Sequence, residues 1–254
     1  MTVNSQAVAD FYQQQIEVPA NRIRVIPNGV VEADAASESS LQTQTSKADH
    51  DTPHTAVPAQ IDLRTELELA PNTKVVGFVG RLAAQKCLRD LIWAFHLLFQ
   101  SLDDPAVLVI IGDGPERDDL AEFAQSVGCR HHVHFLGHRS DAGLLLAQCD
   151  AFCLVSSFEG MSNSLMEAMS AGRPVVVSDI AANRELVDHE RTGMVVPLGD
   201  SVAIGKALRR VLTDHELAAS IGGNAAAKMR SDYRVDRMVE QYHTLYTELL
   251  QATE

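Results

Sequence analysis

The sequence SSFEGMSNSLMEAM at residues 156–169 decides the fold, because it joins a buried strand to a helix through a short polar loop. The apolar run at residues 151–155 predicts the strand, and a helix is expected to follow the loop as far as Ala171. Free backbone N–H groups and the helix dipole make such a loop suited to an anion. Glu159 on the loop and Glu167 inside the helix would repel an anion, so they are better suited to hydroxyl groups. The pattern indicates a sugar phosphate or a nucleotide sugar as ligand.

The composition is that of a folded protein without a general affinity for nucleic acid. Hydrophobic residues make up 46% of the 254 residues and charged residues 22%, enough for one large domain or two small ones. The formal net charge of −13 argues against sequence-independent nucleic-acid binding, which needs clustered Lys and Arg. No apolar run approaches the roughly 18–20 residues that cross a bilayer, and residues 1–20 lack a signal-peptide core. We predict a cytoplasmic protein, for which a peripheral contact with a membrane stays open.

The cysteines and histidines do not predict a metal site. The spacing of Cys87, Cys129, Cys149 and Cys153 matches no zinc pattern, and we expect reduced, structural cysteines. Four histidines lie close together in sequence: His131, His132, His134 and His138. Alternate residues of a strand face opposite sides, however, and no carboxylate or cysteine stands at a useful spacing.

The part of the chain before Ile61 differs from the rest. Residues 4–15 predict a short helix and residues 22–26 a strand that ends at the turn Pro27-Asn28-Gly29. Residues 1–31 cannot form a core alone, so they are interpreted as the end of another domain plus a linker. Residues 32–60 are acidic and almost free of large apolar side chains, which predicts a disordered loop. Residues 61–254 then form one domain that begins with a short helix at residues 61–69.

From Lys74 onward, apolar strands alternate with amphipathic helices. The predicted strands are 75–79, 107–111, 132–136, 151–155, 174–178 and 193–197. The predicted helices include 84–100, 115–126, 141–148, 201–212, 216–229 and 235–250. This alternation predicts an α/β fold with a doubly wound, parallel, Rossmann-like sheet of about six strands. Ligands of such sheets bind outside the carboxyl ends of the strands, where the loops 80–81, 112–114, 137–139 and 157–164 are expected to meet.

Gly80-Arg81 and Lys86 follow the first strand of this series. Gly80 allows a tight turn, Arg81 can bind a phosphate through two parallel hydrogen bonds, and Lys86 can add a point charge. The alternative is a solvated basic pair.

Two further motifs also have ordinary structural explanations. Glu159 could be a plain exposed glutamate, and Glu167 could form a capping box with Ser164. The two roles of Glu167 do not exclude each other. Gly112-Asp113-Gly114 lacks the third glycine of a dinucleotide fingerprint, because Arg117 stands there, so no dinucleotide cofactor is inferred.

Several short motifs occur together in a familiar order. They are Gly80-Arg81 with Gln85-Lys86, residues 111–115 (IGDGP), residues 135–137 (FLG), Glu159-Gly160 with Asn163 and residues 167–169 (EAM), residues 172–176 (GRPVV), residues 183–187 (NRELV) and Thr192-Gly193 with Val196-Pro197. The set resembles family 4 glycosyltransferases, retaining enzymes of GT-B fold. The resemblance implies that the sheet is the C-terminal, donor-binding half of that fold.

The resemblance also implies roles for individual residues. Arg81 and Lys86, preceded by Gly80, would hold the donor diphosphate and stabilise the departing nucleotide, and Glu159 would bind the transferred sugar. These three side chains, Glu159, Arg81 and Lys86, are the implied catalytic residues. Glu167 would hold the ribose. The backbone of Gly160, Met161, Ser162, Asn163 and Ser164 would contact sugar and phosphate, and His138 and Arg139 would lie near the base. No metal and no cofactor is implied.

Two departures from the family pattern stand out. Cys87 occupies the position after the lysine where the family usually has glycine. The resemblance also implies a half that binds a sugar or glycan acceptor, of which we expect this chain to hold only the end, in residues 4–29, so we expect donor binding with little transfer. The alternatives are a non-catalytic nucleotide-sugar-binding module and a sugar-nucleotide epimerase of related fold.

Overall fold

The computed structural model describes residues 1–30, here called the N-terminal segment, and residues 62–251. The loop predicted at residues 32–60 therefore lies outside the described residues. The strands are β1 (Thr2–Val3), β2 (Arg24–Val25), β3 (Lys74–Val79), β4 (Ala106–Ile111), β5 (Val133–Gly137), β6 (Ala151–Leu154), β7 (Val175–Ser178) and β8 (Met194–Val196). The α-helices are α1 (Gln6–Gln15), α2 (Leu63–Glu66), α3 (Leu88–Phe99), α4 (Arg117–Ser126), α5 (Ala142–Leu146), α6 (Asn163–Ser170), α7 (Ala181–Leu186), α8 (Ser201–Thr213), α9 (His215–Asp232) and α10 (Val235–Gln251).

Strands β3 to β8 form a six-stranded parallel sheet in the order β5-β4-β3-β6-β7-β8. Every residue of β4, β6 and β7 is buried, which is why these strands are apolar runs and not alternating patterns. The strand order reverses between β3 and β6, where Val76 pairs with Ala151 and Gly77 with Phe152. The predicted doubly wound α/β fold is confirmed.

The helix predicted at residues 84–100 is wrong at its start. Residues Ala84–Lys86 form a single 3-10 turn, and α3 begins only at Leu88. Cys87 lies between them with φ 50° and ψ 39°, the left-handed conformation. A continuous α-helix cannot pass through such a residue. The apolar spacing in this region still places Leu88, Leu91, Ile92, Phe95 and Leu98 in the core.

Among the α-helices and strands of the described residues, one of each was not predicted. The helix α7 has only six residues, and the strand β1 has two. β1 pairs in parallel with β2, giving a small separate sheet within the N-terminal segment. Short elements of this kind carry too few residues to show a hydrophobic period.

The N-terminal segment packs against the main sheet domain. Val3, Ala9 and Ile26 are buried, and the N–H of Val30 donates to the carbonyl of Tyr233 at 2.8 Å. The last helix, α10, follows directly after this contact and has no buried residue. Its exposed apolar side chains include Val239, Tyr246, Leu249 and Leu250. Within residues 1–30 and 62–251, no helix is long and apolar enough to span a membrane.

The cysteines behave as the spacing predicted. Cys129, Cys149 and Cys153 are buried and form no disulfide, and Cys87 is a partly exposed free thiol. The sulfur of Cys149 lies 2.6 Å from where a Cβ on Gly77 would be, so the strand β3 needs glycine there. Burial raises the pKa of the Cys149 thiol to about 12, which keeps it protonated and unreactive.

Candidate functional site

Three loops at the carboxyl ends of β3, β4 and β5 are joined by backbone hydrogen bonds. The N–H of Gly80 donates to Ile111 at 2.9 Å, and the N–H of Gly112 donates to Gly137 at 2.7 Å. Gly112 has φ 135°, and a Cβ on it would lie 1.9 Å from the carbonyl oxygen of Gly80. Only glycine fits at this crossing. The Gly112-Asp113-Gly114 motif is thus a packing device that holds the Gly80-Arg81 turn in place.

Lys86 and Glu159, which come from opposite sides of the switch in strand order, form a direct ion pair. The Nζ of Lys86 lies 2.5 Å from the Oε1 of Glu159, with side chains 13% and 9% exposed. Glu159 is therefore a buried residue with a specific partner, and its alternative interpretation as a plain exposed glutamate is wrong. Two side chains assigned to different parts of a donor already touch in this structure.

The start of the loop that carries Glu159 is fixed from two sides. The N–H of Ser157 donates to the carbonyl of Gln85 at 2.8 Å, and the hydroxyl of Ser178 donates to the carbonyl of Ser156 at 2.5 Å. The first bond joins the loop to the turn before Lys86, and the second joins it to the end of β7. The loop is therefore tied to its neighbours on both sides.

The start of α6 differs from the predicted capping box. Ser162, in an extended conformation, is the N-cap, and its hydroxyl accepts from the N–H of Leu165 at 3.4 Å. Ser164 lies inside the first turn, so it cannot pair with Glu167 as a capping box requires. The capping explanation for Glu167 is wrong, and this side chain has no role at the helix start.

Arg81 is exposed at the end of β3, where the sequence placed it. None of the ion pairs formed within residues 1–30 and 62–251 includes it. Lys86 lies close by, because its Cε is 3.7 Å from where a Cβ on Gly80 would be. The Arg81 guanidinium can therefore bind an anion without first breaking an ion pair with a carboxylate.

Glu167 lines a cleft of about 440 Å³ between the start of α6 and α5. The cleft walls also include Val30, Gly143, Asn163 and Met166. Glu167 is exposed to solvent, but the surrounding protein reduces the hydration of its carboxyl and raises the pKa above the usual value. No hydrogen bond to Glu167 from another side chain occurs in the described part of the chain. Its oxygens are available to hydroxyl donors.

His138 and Arg139 follow β5, at the far side of the same edge. His138 is exposed. Arg139 donates to Glu66 at 2.6 Å and to Asp141 at 2.8 Å, and these two carboxylates raise the pKa of its guanidinium. The charge of Arg139 is thus balanced within the fold. A base could contact only the part of the Arg139 guanidinium that these ion pairs leave exposed.

The N-terminal segment reaches the same loop, which the sequence did not suggest. The amide of Asn28 donates to the Oδ1 of Asn163 at 2.8 Å and lies 3.4 Å from the carbonyl of Met161. The Oδ1 of Asn4 lies 3.0 Å from where a Cβ on Gly160 would be. The sequence showed the Pro27-Asn28-Gly29 turn, but not that Asn28 would contact Asn163, which lies 135 residues further along the chain.

The histidines do not converge on a metal site. Burial and the neighbouring Arg130 lower the pKa of His134, which keeps its ring neutral. Among the described residues, no three His, Cys, Asp or Glu side chains come together as metal ligands would.

The family comparison identifies the class of protein that this fold and site define. Residues 60–228 match the family described as glycosyl transferases group 1, so the chain belongs to that family. It is 27% identical over 188 residues to N-acetyl-alpha-D-glucosaminyl L-malate synthase of Bacillus anthracis, covering 74% of this chain and 49% of that protein. It is 32% identical to UDP-Gal:alpha-D-GlcNAc-diphosphoundecaprenol alpha-1,3-galactosyltransferase of Escherichia coli, covering 72% and 48%. The chain spans about half the length of the curated relatives it matches.

Solved structures agree on the architecture. HepE of Anabaena, crystallised with UDP and glucose, superposes with a TM-score of 0.79 at 25% identity, covering 97% of this chain and 62% of that chain. WaaG, a glycosyltransferase involved in lipopolysaccharide biosynthesis, superposes with a TM-score of 0.76 at 19% identity, which shows a shared fold alone. These neighbours are GT-B glycosyltransferases, so the predicted architecture is confirmed.

Proposed function

We propose that this chain is the donor-binding half of a retaining family 4 glycosyltransferase of hexosyltransferase type. The observation that carries the proposal is the Lys86–Glu159 pair at the switch in strand order. Exposed Arg81 follows the same strand as Lys86, and Glu167 lines a cleft at the start of α6. Open parallel sheets bind ligands at that place. A nucleotide-diphospho-sugar suits this arrangement, because its diphosphate matches the cations and its sugar and ribose hydroxyls match Glu159 and Glu167.

The diphosphate is held by Arg81 and Lys86. Arg81 is exposed and free of carboxylates in the described chain, while Lys86 is paired with Glu159. A diphosphate carries more charge than a carboxylate, so it competes with Glu159 for the ammonium group. When the glycosidic bond breaks, negative charge grows on the departing nucleotide, and these fixed cations stabilise it. No metal or cofactor is needed for this step.

The sugar and the ribose are held by the two carboxylates and the loop between them. Glu159 accepts hydrogen bonds from hydroxyls of the transferred sugar once the diphosphate shares Lys86. Backbone N–H groups of Gly160, Met161, Ser162, Asn163 and Ser164, at the start of α6, face phosphate and sugar oxygens. Glu167 accepts from the ribose hydroxyls, and the cleft of about 440 Å³ holds the nucleoside, with His138 and Arg139 near the base.

The acceptor belongs to another part of the enzyme. The N-terminal segment is the end of an acceptor-binding domain, and the exposed apolar side chains of α10 are suited to packing against it. The curated relatives are about twice as long as the matched region, which supports this division. Transfer to a sugar or glycan acceptor therefore requires that second half.

Thermal unfolding with UDP, GDP and ADP sugars tests donor binding. A ligand at 100 times its dissociation constant adds about 2.7 kcal/mol of stability, which raises the midpoint by about 5–10 °C for a protein of this size. Arg81→Ala should abolish the shift, whereas Arg209→Ala, an exposed arginine on α8 away from the loops, should preserve it. If no nucleotide sugar shifts the midpoint, the proposal fails.

Donor hydrolysis separates a catalytic site from a binding module. We expect slow release of the sugar from the bound donor, reduced at least tenfold in Glu159→Gln, with bound nucleotide still detectable. No hydrolysis by either protein despite tight binding would favour a non-catalytic nucleotide-sugar-binding module, and equal hydrolysis by both would exclude Glu159 as a catalytic residue.

A further inference from the structure

We propose that Glu185 is a positioning residue for the sugar end of the candidate site, acting through helix α1. The inference rests on the proposed function, because it concerns how the donor loop is held. Glu185 lies on α7 and touches none of the predicted donor ligands. Its carboxylate instead reaches the distant helix α1, near the start of the chain.

Glu185 caps the N-terminus of α1. Its two carboxylate oxygens accept from the N–H of Gln6 at 3.0 Å and from the N–H of Ala7 at 2.7 Å. The hydroxyl of Ser5 accepts from the next N–H, that of Val8, at 3.2 Å. The first turn of α1 contains no acidic residue of its own, so the negative charge that favours a helix N-terminus comes from Glu185.

Glu185 is itself held from a third element. The carbonyl of Glu185 lies 3.3 Å from the hydroxyl of Tyr233 and 3.4 Å from the Nζ of Lys228, and both groups donate to it. Because the backbone of Glu185 is anchored in this way, its carboxylate holds α1 in place against the sheet domain.

The capped end of α1 lies against the donor loop. Asn4, directly before the N-cap, has its Oδ1 3.0 Å from where a Cβ on Gly160 would be, and a methyl group of Val8 is 3.6 Å from the same point. Gly160 follows Glu159 in the loop, so α1 supports the backbone beside the sugar-binding carboxylate. Displacement of α1 would leave this side of Gly160 without packing.

The other end of α7 is tied to the base of the same loop. The amide of Asn183 donates to the carbonyl of Ser178 at 3.0 Å, and the hydroxyl of Ser178 donates to the carbonyl of Ser156 at 2.5 Å. All three residues are buried. Helix α7 therefore holds the loop at its first residue through Asn183 and near Gly160 through Glu185 and α1.

Binding of UDP and of UDP-glucose to Glu185→Ala, measured by calorimetry, tests the assignment. UDP contacts the cations and the Glu167 cleft, so its affinity should stay within about twofold of the parent chain. UDP-glucose adds contacts at Glu159 and Gly160, and its affinity should fall about threefold to tenfold, as expected for loss of a helix cap. Glu185→Gln keeps one acceptor oxygen and should lie between the two.

Arg24→Ala is the matched control. It breaks the Arg24–Glu248 pair of 2.7 Å, which also joins the N-terminal segment to the rest of the chain but is exposed and remote from the loop. Both ligands should bind this variant as they bind the parent. If Glu185→Ala binds UDP-glucose normally, or loses UDP and UDP-glucose equally, the positioning role is wrong while donor binding stands. If the parent chain binds no nucleotide sugar, the proposed function itself fails.

Discussion

The ammonium group of Lys86 lies 2.5 Å from the carboxylate of Glu159, and the two side chains are almost fully withdrawn from water. Their backbones belong to loops on either side of the switch in strand order. At this burial each charge is stabilised by the other, because removing one side chain would leave its partner buried without a counter-charge. The pair therefore links the stability of the domain to its ligand chemistry.

Removing either partner should destabilise the chain strongly, and removing both should cost less than the sum. We expect Lys86→Met and Glu159→Gln each to lower the free energy of unfolding by about 3 kcal/mol, with a coupling of about 2 kcal/mol in the double variant. Urea denaturation followed by circular dichroism measures the cycle. The exposed Arg24–Glu248 pair should show coupling of at most about 1 kcal/mol. Additive effects at Lys86 and Glu159 would contradict the pair seen here.

Gly112→Ala should disrupt the junction of the three loops. The added Cβ would lie 1.9 Å from the Gly80 carbonyl oxygen, in a backbone with φ 135°. We expect a loss of at least about 3 kcal/mol in unfolding free energy and of nucleotide-sugar binding. Gly128→Ala is the control, since Gly128 also has positive φ, 79°, but its added Cβ meets nothing within 4 Å. Gly128→Ala should lower the free energy of unfolding by only about 1 kcal/mol. Equal losses at both positions would mean that the positive φ, and not the contact with Gly80, causes the loss.

Cys87→Gly should stabilise the chain. Cys87 has φ 50°, a conformation that costs a residue with a Cβ about 1–2 kcal/mol. Glycine removes this cost, but it also raises the conformational entropy of the unfolded chain, which opposes folding. The free energy of unfolding should therefore rise by up to about 1 kcal/mol. Cys87→Val, which is branched at Cβ, should be destabilised in the same urea titration. Should valine prove as stable as glycine, the left-handed conformation at residue 87 would be wrong.

The raised pKa of Glu167 predicts opposite pH effects on stability and on donor affinity. The folded chain binds this proton more tightly than the unfolded chain, so the contribution of Glu167 to stability falls as pH rises from the ordinary value of 4.5 through its raised folded pKa. Donor binding needs the ionised form, so affinity should fall as pH drops through that same raised value. Glu167→Gln should be slightly more stable than the parent at neutral pH and should bind donor about tenfold to a hundredfold more weakly.

Calorimetry and unfolding between pH 4.5 and 8 on Glu167→Gln and the parent would show both effects. The affinity difference between the two proteins should shrink as the pH decreases. A difference that is independent of pH would exclude the ionised carboxyl as the ribose ligand.

The strands and the strand-end loops were predictable because their signals are local. A parallel strand buried on both faces must be apolar throughout, so the apolar runs at residues 106–111 and 151–154 are recognisable as strands from sequence. The chirality of βαβ units then brings Arg81 and Glu159 to one edge of the sheet. The ordered motifs indicated a glycosyltransferase, and membership of the glycosyl transferases group 1 family confirms that broader class.

The remaining features depend on backbone conformation or on contacts between distant residues. Apolar spacing continues across Cys87, so the pattern could not show that the helix starts after it. Ser162 and Ser164 both suit an N-cap, and only the extended backbone of Ser162 selects it. The pairing of Lys86 with Glu159 and of Glu185 with α1 joins parts of the chain that are far apart in sequence, which no local pattern encodes.

Asn28, which donates to Asn163, also determines where the domain can be cut. By chain order, the N-terminal segment precedes the long polar stretch and would normally be trimmed from an isolated donor domain. By contacts, Val3, Ala9 and Ile26 of the segment are buried. Asn28 connects the segment to the loop, and Glu185 connects α1 to α7. Expression from residue 62 onward would remove the N-terminal segment and expose to water the surface that the segment covers. A shortened protein for crystallisation should therefore keep the N-terminal segment and shorten the stretch between it and residue 62.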